Sequence, residues 1–172
     1  VNNDLDLFKM GIVYYSTMRG IPQFYYGTEI LMNSNENPGD HGLIRTEFPG
    51  GWPDHLKNAF TGDGLSKDEK QTQLFFKELL NWRKNNKVIH NGKLIQFSPK
   101  ENGVYSFFRV FEGQLVWVIF NRNNSSRIID TSRFKELISN KEFGYDVLNK
   151  KRVSIINSIE IDKKSALIIE IE

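Results

Sequence analysis

Residues 19–30 read RGIPQFYYGTEI, and the short apolar run inside them decides the fold. Residues 21–26 are too few for a helix and are apolar on both faces, which favours a strand buried on both sides, as parallel strands usually are. Tyr25 and Tyr26 end this run, and a polar loop over residues 32–64 follows them. The stretch therefore predicts a buried strand that opens onto a long loop, where functional residues often lie.

Helices are predicted on both sides of this strand. Residues 4–19 repeat apolar side chains at helical spacing, and either Asn3 or Asp4 can cap them. Residues 66–85 open with the capping box SKDE. A helix, a strand, a loop and a helix make one repeat of an α/β layer, but a single strand cannot make a sheet. We therefore expect residues 1–92 to be an incomplete domain. The apolar stripe of the second helix contains Phe75, Leu79 and Trp82.

The remainder of the chain has the pattern of an antiparallel β-sandwich. Short apolar runs alternate there with turn signals such as Asn-Gly, and residues 133–138 fit one helical turn. Residues 93–172 are therefore predicted to form a separate sandwich domain, which makes the fold class of the chain α+β. The predicted strands are residues 93–97, 104–111, 115–120, 127–129, 145–148, 153–156 and 165–171.

Composition excludes several classes of function. The 172 residues carry a net charge of +2 with both signs interspersed, so no nucleic-acid partner is expected. No apolar run approaches the roughly 20 residues of a membrane span, so no membrane partner is expected either. The chain has no cysteine, which excludes disulfides and thiolate metal sites but does not fix the compartment. Its three histidines are scattered, and no glycine-rich phosphate loop is present, so we predict no metal and no cofactor.

The carboxyl end of the predicted strand is the candidate binding site. In parallel α/β architectures, ligands bind there and contact the loops that leave the strands. Aromatic faces beside charged hydrogen-bonding groups suit a sugar, which is apolar on its ring faces and polar around its rim. Structural roles remain open, because the tyrosines could alternate between two packing layers, Trp52 could pin its loop, and Glu29 could form an ion pair. The candidate substrate-binding residues are Tyr26, Asp40, Arg45 and Trp52.

Four segments together resemble the α-amylase family of glycoside hydrolases. GIPQFYYGTEI resembles the eighth-strand motif of that family, and GLIRTEFPGGW with NAFT is similar to the following loop in the cyclomaltodextrinase and neopullulanase branch. LLNWRKNN resembles the last barrel helix, and RFKELI with the strands after it resembles the C-terminal β-sandwich. The resemblance implies that residues 1–92 are the end of a (β/α)8 barrel, a fold of about 250 residues.

The resemblance also implies a retaining mechanism, in which an aspartate nucleophile and a glutamate acid/base act on the glucosidic bond. The family carries these carboxylates, with a third that stabilises the transition state, on barrel strands whose motifs do not occur here. No catalytic residue and no calcium site is therefore assigned to this chain. Asp40 and Arg45 match the family's glucose-binding pair after the eighth strand, although one residue more separates them than in the common Asp-Pro-x-x-Arg pattern.

Two hypotheses about function follow from the sequence. In the first, the chain is the C-terminal part of an enzyme that cleaves α-1,4-glucosidic bonds of maltooligosaccharides, cyclodextrins or pullulan, and it is inactive alone. In the second, it is a non-catalytic carbohydrate-binding or structural module. The first is favoured, because the predicted sandwich strands show no exposed row of aromatic residues. The expected partners are an α-glucan or maltooligosaccharide, and either the remainder of its own barrel or another copy of the chain.

Overall fold

The computed structural model describes residues 4–33, 39–42, 45–99 and 103–172. The chain divides into two compact units. Val1–Ile21 and Leu79–Glu172 form the first, which we call the sheet unit, and Pro22–Glu78 form the second, which we call the loop unit. Helices and antiparallel strands occur together, as the predicted α+β class requires. None of the helices in the described ranges combines the length and the apolar character needed to cross a bilayer.

Every strand found in the described residues belongs to the sheet unit, and every pairing is antiparallel. Six strands form one sheet in the order β1-β2-β3-β8-β5-β6, and β4 pairs with β7 in a second sheet. The strands are β1 (Lys93–Phe97), β2 (Val104–Phe111), β3 (Gln114–Asn121), β4 (Arg127–Asp130), β5 (Phe143–Asp146), β6 (Lys151–Ser154), β7 (Ser158–Ile161) and β8 (Ser165–Ile171).

Both faces of the six-stranded sheet are covered. On one face, apolar residues of β2, β3 and β8 share a core with the residues of β4 and β7, so the two sheets form a sandwich. Trp117 and Phe108 are fully buried in this core, with ring centroids 5.2 Å apart and ring planes 9° apart. On the other face, helix α1 (Leu5–Thr17) contacts β8, and helix α3 (Lys87–Asn91) contacts β2 and β3. Burial on both faces explains the nearly continuous apolar runs of β2 and β3.

Helix α1 is fixed at both ends by side chains. Asp4 caps its first turn by accepting from the backbone N–H groups of residues 6 and 7. At its C-terminal end, the buried Arg109 guanidinium donates to the Thr17 carbonyl at 2.7 Å, and Arg83 donates to the Ser16 carbonyl at 2.6 Å. These carbonyls have no partner within the helix, and positive charge is favourable at this end of the helix dipole. Arg109, on β2, therefore holds the helix against the sheet, and Arg83 adds a second cation at the same helix end.

The strands predicted in residues 93–172 are confirmed, although β5 and β6 each begin and end two residues earlier than predicted, and one further strand is present near the C-terminus. The prediction placed one strand at residues 153–156 and no strand after it until residue 165. The structure instead ends β6 at Ser154, turns at Asn157, whose φ is +62°, and continues as β7. The run SIINSIEI hides this turn because a single asparagine in the left-handed region is enough to make it. Helix α3, a single short helix capped by Asn86, was not predicted.

The loop unit contains most of helix α2 (Lys67–Asn85) and a short 3₁₀ helix, Thr28–Ile30. The capping box of α2 is confirmed, because Ser66 and Glu69 each bond the other's backbone N–H through their side chains. The predicted strand at residues 21–26 was wrong for this chain. The backbone there has no ladder partner in the described residues, and Tyr25 and Tyr26 are exposed. A strand needs a neighbour to pair with, and none of the strands in the described ranges pairs with this segment.

Candidate functional site

A tight turn follows the extended segment and sets the direction of the loop. Gly27 adopts a φ of +82°, and a Cβ at this position would overlap the Met32 side chain. The Gly27 carbonyl accepts from the N–H groups of Ile30 and Met32, and the Thr28 hydroxyl donates to the Tyr25 carbonyl at 2.6 Å. Glycine is required here both for the backbone conformation and for the close approach. The turn therefore fixes the backbone directly after the two tyrosines.

Small apolar contacts hold this turn inside the loop unit. Ile30 is buried with Ala59 and Leu65, and Met32 and Phe48 pack against them. The extended segment is attached to α2 by Phe24, whose ring lies edge-on to Phe76 at 5.3 Å between centroids. These contacts join the NAFT segment and the turn after residue 27. They leave the polar groups of the loop at the surface.

Tyr26 is the best-positioned of the four predicted site residues. Its hydroxyl donates to the Thr46 carbonyl at 2.8 Å, and its ring lies 4.6 Å from that of Tyr25, centroid to centroid. Hydrogen bonding to the Tyr25 hydroxyl raises the pKa of Tyr26, while the positive charge of Arg45 acts in the opposite direction. The structure therefore brings Tyr26, Tyr25 and Arg45 into one exposed group. The role of Thr46 could not be predicted from the sequence, because Thr46 contributes its backbone carbonyl and any residue type has one.

Asp40 and Arg45 are connected through the backbone between them. The Asp40 carboxylate accepts from the Gly42 N–H at 2.9 Å, and the Gly42 carbonyl accepts from the Arg45 N–H at 3.2 Å. Both side chains are exposed. Residues 43 and 44, which belong to the motif GLIRTEFPGGW, lie outside the described residues. Each residue of the predicted pair is therefore hydrogen-bonded to Gly42.

Trp52 lies on a separate turn that is built around His55. The His55 ring accepts from the Gly50 N–H at 2.9 Å and lies 3.3 Å from the Glu47 carboxylate. The Trp52 side chain is 60% exposed, whereas Phe48 is the aromatic residue of this turn that packs into the core of the loop unit. In this chain Phe48 therefore anchors the turn, and the Trp52 face is available to a ligand.

The exposed groups of the predicted site are two tyrosine rings, an indole, a guanidinium and a carboxylate, which are groups suited to binding. The structure brings Tyr25, Tyr26 and Arg45 together, whereas Trp52 lies on a separate turn. Glu29 is half-buried in the same unit, and the ion pair considered for it is not formed within the described residues. Across the parts of the chain that the structure describes, no group of three or more His, Asp or Glu side chains is placed to hold a metal.

The C-terminal part of the chain matches a known protein family. Residues 94–170 match the family described as the cyclo-malto-dextrinase C-terminal domain. These residues include β2 to β7 completely, β1 from its second residue, and β8 up to its last residue but one. The match therefore covers the sandwich itself.

Relatives extend the similarity over nearly the whole chain. It is 27% identical to α-amylase 3 of Dictyoglomus thermophilum over 91% of this chain and 32% of that protein. The fold is similar to an α-amylase of Geobacillus thermoleovorans complexed with acarbose (TM-score 0.72, 16% identity, 99% of this chain and 34% of that one). It is also similar to AmyP in complex with maltose (TM-score 0.72, 15% identity, 96% and 34%). The chain spans about a third of the length of these relatives, so the comparisons show an α-amylase-like fold over nearly the whole chain and a match to the cyclo-malto-dextrinase C-terminal domain at residues 94–170.

Proposed function

We propose that this chain is the C-terminal part of a retaining glycoside hydrolase that acts on α-1,4-glucosidic bonds of maltooligosaccharides, cyclodextrins or pullulan. Residues 1–92 supply the last helix–strand–loop–helix unit of the (β/α)8 barrel, and residues 93–172 form the C-terminal antiparallel β-sandwich domain. The catalytic carboxylates belong to the rest of the barrel, so the chain alone has no hydrolase activity. Its own contribution is to bind glucose units through Tyr26, Asp40, Arg45 and Trp52.

The observation that carries this proposal is the exposed group at the end of the extended segment. The Tyr26 hydroxyl is hydrogen-bonded to the backbone beside Arg45. This group lies at the end of the apolar residues 21–26, which have no strand partner in the described residues. A barrel binds substrate at the carboxyl ends of its strands. If neighbouring strands pair with residues 21–26, the tyrosines and Arg45 come to that end of the barrel. Two of the similar structures hold acarbose and maltose.

Each of the four residues has a distinct task in this proposal. The Arg45 guanidinium donates to sugar hydroxyls in a fixed fork geometry, and Asp40 accepts from them. Tyr26 and Trp52 present ring faces to the apolar faces of glucose units. The hydrogen bond from the Tyr26 hydroxyl to the Thr46 carbonyl keeps the tyrosine ring close to Arg45. Binding of this kind orients the glucan for carboxylates that stand elsewhere in the barrel.

The test is the hydrolysis of maltotriose and longer maltooligosaccharides by the whole protein that contains this chain. We expect the wild-type whole protein to release reducing sugar and the isolated 172-residue chain to release none. The substitution Arg45→Ala removes a charge-assisted contact worth about 1.5–3 kcal/mol and should lower kcat/KM roughly 10- to 150-fold. Trp52→Ala should have a smaller effect. Arg122→Ala, which removes an exposed arginine of the sheet unit, is the matched control and should leave kcat/KM unchanged.

Two results would reject this function. A whole protein that cleaves none of these α-glucans would refute the activity. An Arg45→Ala enzyme with the kinetics of the Arg122→Ala control would refute the site while leaving the activity standing. Reducing sugar released by the isolated chain, with contaminating amylase excluded, would show that catalytic carboxylates lie within these 172 residues.

A further inference from the structure

A cavity of about 400 Å³ opens on the sheet unit beside the end of α2. It lies where residues 85–88, the start of β3 and the end of β8 meet. Its volume is within the range of small-molecule sites, which is roughly 300–1,000 Å³. All of its lining residues belong to the sheet unit, so it is distinct from the surface around Tyr26, which belongs to the loop unit.

A carboxylate in this cavity is held by two neutral donors. Glu170 Oε1 accepts from the Trp82 indole N–H at 2.8 Å and from the Asn86 side-chain amide at 2.8 Å. Asn86 is itself fixed, because its side-chain oxygen accepts from the Ile89 N–H at 3.0 Å. Within the described residues, no cation forms an ion pair with Glu170. The carboxylate is therefore oriented without being neutralised, and its second oxygen, Oε2, has no donor in the same part of the chain.

Three further polar side chains line the cavity and are exposed to solvent, where a ligand can reach them. Among the described residues, the Lys87 ammonium and the Gln114 amide make no hydrogen bond within the protein, and the Asn85 amide donates to the Asn81 carbonyl. Aliphatic side chains supply the rest of the lining, including Leu115 and Ile171. One positive and one negative charge balance each other in the cavity. Such a surface suits a neutral ligand that carries several hydroxyls and an apolar face.

We infer that this cavity, the Glu170 cavity, is a second sugar-binding site that holds one end of an α-linked glucose oligosaccharide. A glucose unit is neutral, places hydroxyls around its rim and has apolar ring faces, which matches the charge balance and the mixed lining. Glu170 Oε2 and the Asn85 oxygen accept from sugar hydroxyls, while Lys87 and Gln114 donate to them. Leu115 and Ile171 contact a ring face. The choice of an α-glucan rests on the proposed function of the whole protein, whereas the site itself rests on the cavity.

Nuclear magnetic resonance on the isolated 172-residue chain tests this inference. Addition of maltoheptaose at millimolar concentrations should give saturable shifts at the side-chain amides of Asn85, Asn86 and Gln114. Gln114→Ala should weaken binding at these signals about 5-fold, the effect of one neutral hydrogen bond. Glu170→Gln is nearly isosteric but removes the charge and replaces one acceptor oxygen by an amide donor. It should weaken binding about 10-fold, because hydrogen bonds to charged groups are stronger. Glu142→Gln, a carboxylate on the exposed surface beside β5, is the matched control and should change nothing.

The outcomes separate this inference from the proposed function. The absence of saturable shifts at the three amides, or shifts confined to the neighbourhood of Tyr26 and Arg45, would overturn the Glu170 cavity as a sugar site. Equal binding of cellohexaose, a β-linked glucan, would overturn its assignment to α-glucans. Neither result affects hydrolysis by the whole protein. Conversely, an inactive whole protein whose isolated chain still binds maltoheptaose at Glu170 would refute only the proposed activity.

Discussion

The sheet unit and the loop unit are stabilised in different ways. The sheet unit pairs all of its strands with neighbours and buries Phe107, Phe108 and Trp117 completely. In the loop unit, Ile30, Ala59 and Leu65 form a small buried cluster and Phe76 is buried as well, while other apolar side chains remain at the surface. The exposed set includes Leu56 at 97% and Phe60 at 77%. We expect the sheet unit to fold alone, because its strands are paired and its apolar side chains are buried. The loop unit has a small core and exposed apolar side chains, so we expect its stability to depend on neighbouring protein.

The largest expected effect is a truncation in the core of the sheet unit. Phe108→Ala removes a fully buried ring that packs on Trp117 and Phe134, and it should lower the free energy of unfolding by about 3–5 kcal/mol. Urea denaturation of the isolated chain measures this loss. Ile128→Ala, at a residue of β4 that is 70% exposed, is the control and should change stability by less than about 0.5 kcal/mol. Equal losses for the two variants would contradict the assignment of the core.

A smaller and more local effect is expected in the loop unit. Ile30→Ala removes a buried side chain from the small cluster formed with Ala59 and Leu65, so the loss should lie near the lower end of the usual range, about 2 kcal/mol. Hydrogen exchange should show faster opening of residues 45–65 with unchanged protection of β2, β3 and β8. Leu56→Ala, at a leucine of this unit that is 97% exposed, should change neither. If Ile30→Ala lowered the protection of both units equally, the two would not be separate in stability.

The smallest expected effect concerns charge at the start of α1. The Lys164 ammonium donates to the Asp4 carboxylate at 2.7 Å, and this bond, followed by the bond from the Leu7 N–H, lowers the pKa of Asp4. A lowered pKa in the folded state means that the stabilisation is present above the unfolded pKa of about 3.9 and is lost as pH falls through the folded value. Asp4→Asn keeps a helix cap but removes the charge.

Thermal unfolding between pH 2 and pH 7 measures this contribution. The wild-type chain should lose more stability than Asp4→Asn over the acidic part of that range, and the two should converge at the lowest pH. Asp6→Asn, which changes an exposed carboxylate in the same helical turn, is the control. Parallel curves for wild type and Asp4→Asn would show that the Lys164 bond contributes nothing measurable in solution.

Local patterns predicted the sheet unit well, because its structure follows from alternation and turn residues. β1, β2 and β8 have the predicted bounds, and the apolar face of β8 lies in the sandwich core. The helical turn before residue 138 is also present as α4 (Lys135–Ile138). The partner of Glu170 could not be foreseen, because Trp82 lies 88 residues away in the sequence and only the tertiary fold brings the two together.

The structure of the loop unit was predicted less well from the sequence than that of the sheet unit. Apolar character on both faces predicted a buried strand at residues 21–26, but Ile21, Tyr25 and Tyr26 are exposed in the structure, because strand formation depends on neighbours and not on composition. The four predicted site residues were chosen by residue type and position after this segment. The structure brings Tyr26 and Arg45 together through the Thr46 carbonyl, a backbone contact that no pattern of side chains encodes.

Hydrogen exchange at residues 22–26, compared between the isolated chain and the whole protein, tests the central claim most directly. The claim is that this segment is a barrel strand that forms only when its neighbours are present. We expect its amides to exchange rapidly in the isolated chain while β2, β3 and β8 stay protected, and to become as protected as those strands in the whole protein. Full protection in an isolated chain shown to be monomeric, or rapid exchange that persists in the whole protein, would contradict the claim.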